Sequence, residues 1–314
     1  MGATGSYAVE RLATPECAGD VKCQPIEPIN KVEYGRAMGL VSRLLEPLDH
    51  ESNEAFQNGR VFRDGMFGEG ASKGSSIPQD VVWITSPTLP DLPDLDIDIS
   101  RGKRTVQLDI KKPQDKARLL ELLQTADVFI QSYRPGSLAA QGLSTEELTA
   151  LNPNLITASL NAYGPSGPWS QRRGFDSLVQ TCSGINVADA ERYEAGEAAR
   201  VLPCQALDHG AGYFLATGIM AALYKRSVEG GSYEVKVSLA GVMQYLRSLG
   251  QYVGKTGFQR KDFKQPEDVS GYLETRQTGF GELKAVKHAA RINGVEIGWD
   301  IMPKPLGNDD PAWL

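Results

Sequence analysis

Cysteine is scarce in this sequence: Cys17, Cys23, Cys182 and Cys204 are the four found in 314 residues. So few thiols cannot staple a chain of this length, which excludes a disulfide framework and makes a reducing compartment the expectation. No second close pair of Cys or His accompanies Cys17 and Cys23, so the usual zinc spacing is missing and no metal is expected. Histidine is rarer still, with His50, His209 and His288, and no Gly-x-Ser-x-Gly elbow is present. A Ser-His-Asp hydrolase is thereby excluded. No apolar run of about 18 residues occurs, and Met1 to Val21 carries no leader-like apolar stretch. A soluble, cytoplasmic protein without a membrane partner is expected. Positive charge is also lacking: the formal net charge is -6, which gives no broad basic surface for nucleic acid. Finally, no P-loop and no Gly-x-Gly-x-x-Gly follows a candidate strand, so the usual nucleotide cradle is absent.

What is present is a globular composition, 41% hydrophobic and 23% charged, enough to bury one large core or two modest ones. Three regions are distinguished. Residues 1–79 are atypical, with scattered Gly, Pro, Glu and Asn, one plausible helix from Val32 to Leu48 and no strand of good quality. Residues 80–240 carry the clear signals. Val81-Val82-Trp83-Ile84-Thr85 is a buried-strand run; Pro87 to Pro93 reads as a loop, and Asp94, Asp96 and Asp98 as a solvated acidic loop. The aspartate spacing does not make a calcium loop, because Ile99 stands where glycine is needed and Thr105 where the bidentate glutamate belongs.

Further strands are expected at Arg104–Ile110, Val128–Ile130, Leu155–Leu160 and Tyr233–Val237. Helices alternate with them, from Pro113 to Ala126, from Ser144 to Leu151 with Glu147 completing a capping box, from Asp208 to Arg226, and another after the Tyr233–Val237 strand to about Val253. That order implies an α/β fold, Rossmann-like, with a mostly parallel sheet and flanking helices. Residues 241–314 read as a helical and then extended segment, with the signal decaying beyond Gly254.

Basic residues follow several of these strands: Lys111-Lys112, Arg134 and Arg172-Arg173. Ligands of open parallel sheets bind at the carboxyl ends of strands, so these cations either converge on a polyphosphate or are solvated surface charges. Asp208 opens an apolar helical run, next to His209-Gly210-Ala211-Gly212. It is either an N-cap or a nucleophile whose carboxylate the helix N-terminus keeps ionised, with small neighbours admitting a bulky electrophile.

At these residues the chain resembles the class III CoA-transferases, of the CaiB/BaiF type. That family also holds carnitine-CoA transferase, formyl-CoA transferase and α-methylacyl-CoA racemase. The motifs are Gly102-Lys103-Arg104-Thr105, Asp127 to Gly136, Asn152-Pro153-Asn154, Tyr163 to Pro168, Gly174-Phe175-Asp176, Asp208 with its helix, and Glu229-Gly230-Gly231-Ser232. The resemblance implies an intertwined homodimer and a coenzyme A site. It also implies an aspartate that carries acyl and CoA groups covalently, matched by Asp208, with acyl-CoA and a small carboxylic acid as substrates and no further cofactor.

Residue by residue, Leu108 and Lys111 match CoA-contacting positions, Arg173 stands for a family lysine, and Tyr133 occupies an aromatic contact position with Ser132 and Arg134 beside it. Ser132 replaces an asparagine and Ala140 an arginine. Asp176 falls where members keep a carboxylate near the reacting carbonyl. Phe175 stands where racemases have histidine, which removes one of the two bases that racemisation requires. The family's opening strand-turn-helix and its glycine-rich lid find no equivalent in residues 1–79 or after Gly254. This implies a divergent or truncated member, and its alternative role is a catalytically silent CoA-binding or dimerising subunit, with residues 241–314 as a dimer link.

Overall fold

The computed structural model describes residues 7–9, 60–64, 79–194, 196, 198–259, 263–287 and 298–314. Its centre is a seven-stranded sheet in the order β1-β7-β6-β5-β2-β3-β4. In chain order these are β1 (Tyr7–Val9), β2 (Arg60–Asp64), β3 (Gln79–Thr85), β4 (Arg104–Gln107), β5 (Val128–Gln131), β6 (Ile156–Asn161) and β7 (Tyr233–Ser238). β3 and β4 pair in parallel, as do β5, β6 and β7, while β2 lies antiparallel between β3 and β5. Strands β3 to β7 therefore point one way, and their carboxyl ends form a single edge. β1 is antiparallel on β7.

β1 and β2 correct the expectation that residues 1–79 hold no strand of good quality. Arg60-Val61-Phe62-Arg63-Asp64 has two apolar residues among charged ones, too short a pattern to stand out. Pairing on both sides, with Val61 opposite Val82 and Phe129, makes it a strand. The expected Val32–Leu48 helix lies outside the described residues.

Two apolar layers cover the sheet. On one face Val82, Ile84, Val106 and Phe129 pack with Leu119, Leu122 and Leu123 of α2 (Pro113–Leu123) and Leu148 of α3 (Thr145–Leu151). On the other, Val128, Ile130, Ile156, Leu160, Val235 and Val237 meet Leu207, Leu215 and Leu223 of α6 (Ala206–Glu229). This alternation along β5 sends odd and even residues to opposite faces. α6 lies very close to β7, for a Cβ on Gly218 would stand 2.5 Å from Val235 Cγ1. α7 (Leu239–Ser248) closes the same layer through Val242 and Met243.

The acidic loop is corrected as well. Asp94, Asp96 and Asp98 lie on α1 (Pro93–Ile99), with Pro93 opening the helix and two aspartates in its first turn. Proline and acids suit a helix start, where the ring needs no N–H and the dipole favours negative charge. Asp96 is buried rather than solvated. The capping box forms as read: Glu147 N–H donates to Ser144 Oγ at 3.2 Å, and Ser144 N–H to Glu147 Oε2 at 2.9 Å.

Beyond Gly254 the chain is more ordered than expected. β8 (Leu273–Thr278) and β9 (Gly281–Val286) form an antiparallel hairpin. Residues 298–314 return to β4, an outer strand of the sheet. Gly102 N–H donates to Ile301 O at 2.8 Å, Thr105 N–H to Asp309 Oδ2 at 2.8 Å, and Asp309 N–H to Thr105 O at 3.0 Å. These bonds occupy backbone groups that an exposed edge leaves open. Asp80 then holds Arg104 through three contacts of 2.8–3.0 Å and accepts from Leu314 N–H at 2.6 Å.

Candidate functional site

Asp208 and Asp176 meet at the carboxyl edge of the sheet. α6 descends to β7 in the reverse direction, so its first turn, which carries Asp208, stands beside the ends of β6 and β7. Asp176 begins α4 (Asp176–Ser183), which α5 (Ile185–Tyr193) follows, and is reached from β6 through a loop in which Tyr163 and Trp169 pack edge to face at 5.2 Å. The chain passes tightly over that tyrosine: a Cβ on Gly174 would lie 2.4 Å from Ala162 Cβ and 2.9 Å from Tyr163 Cε2. Only glycine fits before Phe175 and Asp176.

Asp176, 1% exposed, spends its carboxylate on the first turn of α6. Its Oδ2 accepts from Leu207 N–H at 2.7 Å and from Asp208 N–H at 3.2 Å, while Oδ1 accepts from Gln180 Nε2. Gln180 in turn accepts Leu202 N–H at 2.9 Å. Between these anchors Cys204 and Gln205 have φ of 49° and 50°. Left-handed backbone at a non-glycine residue costs about 1–3 kcal/mol and persists where surrounding bonds hold it.

Two parts of the reading of Asp208 are thereby corrected. It is not the N-cap, a place taken by Gln205, but the third residue of the helix. Nor does the helix end hold it ionised, because a neighbouring carboxylate has taken the N–H groups. Burial first, and then the charge of Asp176, push Asp208 up to about 7. The expectation that small neighbours clear a path for a substrate also changes at Gly210: a Cβ there would meet Val242 Cγ1 at 3.0 Å, so helix packing fixes this glycine.

A separate cavity of about 400 Å³ opens at the ends of β3, β4 and β5 and is lined by Leu108, Lys111, Tyr133 and Arg134. Lys111 and Arg134 are exposed at its rim, and Leu108 is buried in its wall. Thr85 also lines it, 2% exposed and with no hydrogen-bond partner for Oγ1. Ser132 and Arg173 do not line this cavity; Ser132 is half-buried beside Tyr133, and Arg173 is exposed just before Gly174. Phe175, 73% exposed, presents no proton-transfer group.

Thr85 and Gln180 escaped the sequence reading. A threonine closing an apolar strand carries no distinguishing signal. Gln180 stands four residues after Asp176, the spacing that places two side chains on one helical face, and that relation was available in the sequence.

A family model described as CoA-transferase family III matches residues 97–274. The chain is 31% identical over 194 residues to "Probable fatty acyl-CoA transferase Rv3272" of Mycobacterium tuberculosis, covering 62% of this chain and 48% of that protein. It is 35% identical over 150 residues to the acetyl-CoA:oxalate CoA-transferase of Acetobacter aceti, covering 48% of this chain and 38% of the relative. A crystal structure of Rv3272 from M. tuberculosis superposes with a TM-score of 0.50 at 31% identity, over 54% of this chain and 48% of that one. The chain thus spans less than half the length of these curated relatives. No helix among the described residues is long and apolar enough to cross a membrane.

Proposed function

Since this chain belongs to CoA-transferase family III, we propose that it moves coenzyme A between an acyl-CoA thioester and a small carboxylic acid, with Asp208 as the covalent carrier. The observation that carries this is a half-buried carboxylate raised to about 7 beside a second, fully buried carboxylate. A carboxylate perturbed by burial and by a specific neighbouring charge marks a candidate functional site.

The chemistry balances without a cofactor. A carboxylate oxygen of Asp208 attacks the thioester carbonyl, and the C–S bond breaks to release CoA thiolate, leaving a mixed anhydride. The thiolate attacks the Asp208 carbonyl and expels the donor acid as a carboxylate, which leaves an aspartyl-CoA thioester. The acceptor carboxylate then attacks that thioester and releases the thiolate again. Attack of the thiolate on the acceptor's carbonyl forms the new acyl-CoA and frees Asp208. No net proton moves.

Desolvation makes the ionised Asp208 a better nucleophile than a solvated carboxylate, and its acylation removes one of two neighbouring charges. Lys111 and Arg134 at the cavity rim suit the phosphates of CoA, with Leu108 and Tyr133 as apolar wall; Arg173 and Ser132 join the same edge of the sheet. Asp176 acts on Asp208 through charge and through the helix start. Formyl-CoA:oxalate and acetyl-CoA:oxalate CoA-transferases are among the relatives, so acetyl-CoA and oxalate are suitable probes. The test incubates both with the protein, traps with hydroxylamine and maps the Asp208 peptide by mass spectrometry. A hydroxamate at Asp208 is expected; a folded protein giving neither adduct nor acyl exchange refutes the proposal.

A further inference from the structure

We propose that Gln180 is a positioning residue: it clamps the turn leading into α6 and so fixes where Asp208 stands and how it meets Asp176. The role rests on Asp208 being the acyl carrier. The clamp has two jaws on one side chain. Gln180 Oε1 accepts Leu202 N–H at 2.9 Å, and Nε2 donates to Asp176 Oδ1. The orientation of the amide is settled by its partners, since a backbone N–H requires an acceptor and a carboxylate requires a donor. Asp176 passes the constraint onward through its other oxygen, which accepts from Leu207 and Asp208 N–H.

The segment from Leu202 to Asp208 is therefore pinned at both ends by a pair of side chains one helical turn apart. Its middle, Cys204 and Gln205, holds the left-handed φ values that a free chain would leave. Gln180 is 2% exposed and Asp176 1%, so water does not compete for these bonds. The carboxylate facing Asp208 comes from α4; His209, its neighbour on α6, is exposed.

Removing the clamp acts on Asp208 by two routes of the same sign. A relaxed turn carries Asp208 toward solvent, which lowers its proton affinity. Asp176 is also no longer held in place by its bond to Gln180, and a shift away from Asp208 weakens the repulsion between the two carboxylates. Gln180→Leu removes both jaws. Leu202→Pro removes one jaw, the N–H, while trading a leucine side chain that packs on the core for the proline ring, and Leu202 already has φ -66°, which proline adopts without strain.

The experiment follows Asp208 by carbon-13 NMR of labelled aspartate carboxyls, assigned with Asp208→Asn, in the intact chain. Each folded variant is expected to lower the Asp208 midpoint by about one pH unit or more, and to lower kcat for acetyl-CoA and oxalate roughly ten-fold with KM little changed. A folded variant with an unmoved midpoint overturns the clamp. Hydrogen exchange on the unmodified protein decides if neither variant folds: protected amides at 202, 207 and 208 support it, and free exchange there refutes it. Absence of transfer in the unmodified protein, with the midpoint shifts intact, refutes the transferase reading and leaves the clamp standing.

Discussion

Replacing Asp208 with asparagine should stabilise the protein at alkaline pH, although it removes the proposed nucleophile. The folded state raises Asp208 from 3.8 to about 7, a rise of roughly 3 units, and each unit corresponds to about 1.36 kcal/mol. Because the folded value lies above the unfolded one, this group adds stability below about pH 4. That contribution is lost as pH rises through about 7. The ceiling on the loss is about 4 kcal/mol, and rearrangement around the charge leaves about 2–4 kcal/mol. Asparagine has nearly the same shape and no charge, so it escapes the loss. Urea unfolding of both proteins at pH 5 and pH 8.5 measures the difference. Asp208→Asn is expected to gain about 2–4 kcal/mol over the parent at pH 8.5 and less than half as much, about 1–1.5 kcal/mol, at pH 5. A gain equal at both pH values, or none at pH 8.5, would falsify the reasoning, since the carboxylate pair would then carry no strain.

Three further outcomes are expected. Acyl exchange between acetyl-CoA and oxalate should rise with pH as Asp208 ionises, with an inflection in kcat/KM near 7, and should fall to background in Asp208→Asn. Lys111→Glu and Arg134→Glu should each weaken CoA binding about ten-fold or more by calorimetry, with an effect that shrinks in added salt, while leaving thermal stability unchanged. Arg104→Ala should cost about 3–5 kcal/mol in denaturant unfolding, because it strands the largely buried Asp80 carboxylate.

Much of the core was legible because its signals are local. Val81 to Thr85 is an unbroken β-branched and aromatic run, and α3 announces itself through Ser144 and Glu147. Such elements read the same in any context. β2 failed because its strand character comes from two neighbours, one of them, β5, more than 60 residues away. α1 failed because proline and aspartate are poor within helices yet good at their starts. The β8–β9 hairpin failed because Leu273–Thr278 is mostly polar, carrying Glu, Arg, Gln and Thr on an open ribbon.

The sequence by itself determined the alternation of strands and helices, hence the common direction of β3 to β7 and the edge where their loops gather. It also determined the family, and which side chains are the candidates for nucleophile and for phosphate-binding charge. Only the tertiary structure decided how those side chains treat one another. Asp176 and Asp208 are 32 residues apart, and nothing local says that one takes the backbone donors of the other's helix. That contact reverses the sign of the expected effect on Asp208, because a helix N-terminus stabilises a carboxylate only while its N–H groups and its solvent remain available. Burial and a neighbouring charge belong to the folded arrangement, and they turn an ordinary aspartate at a helix start into one poised near neutral pH.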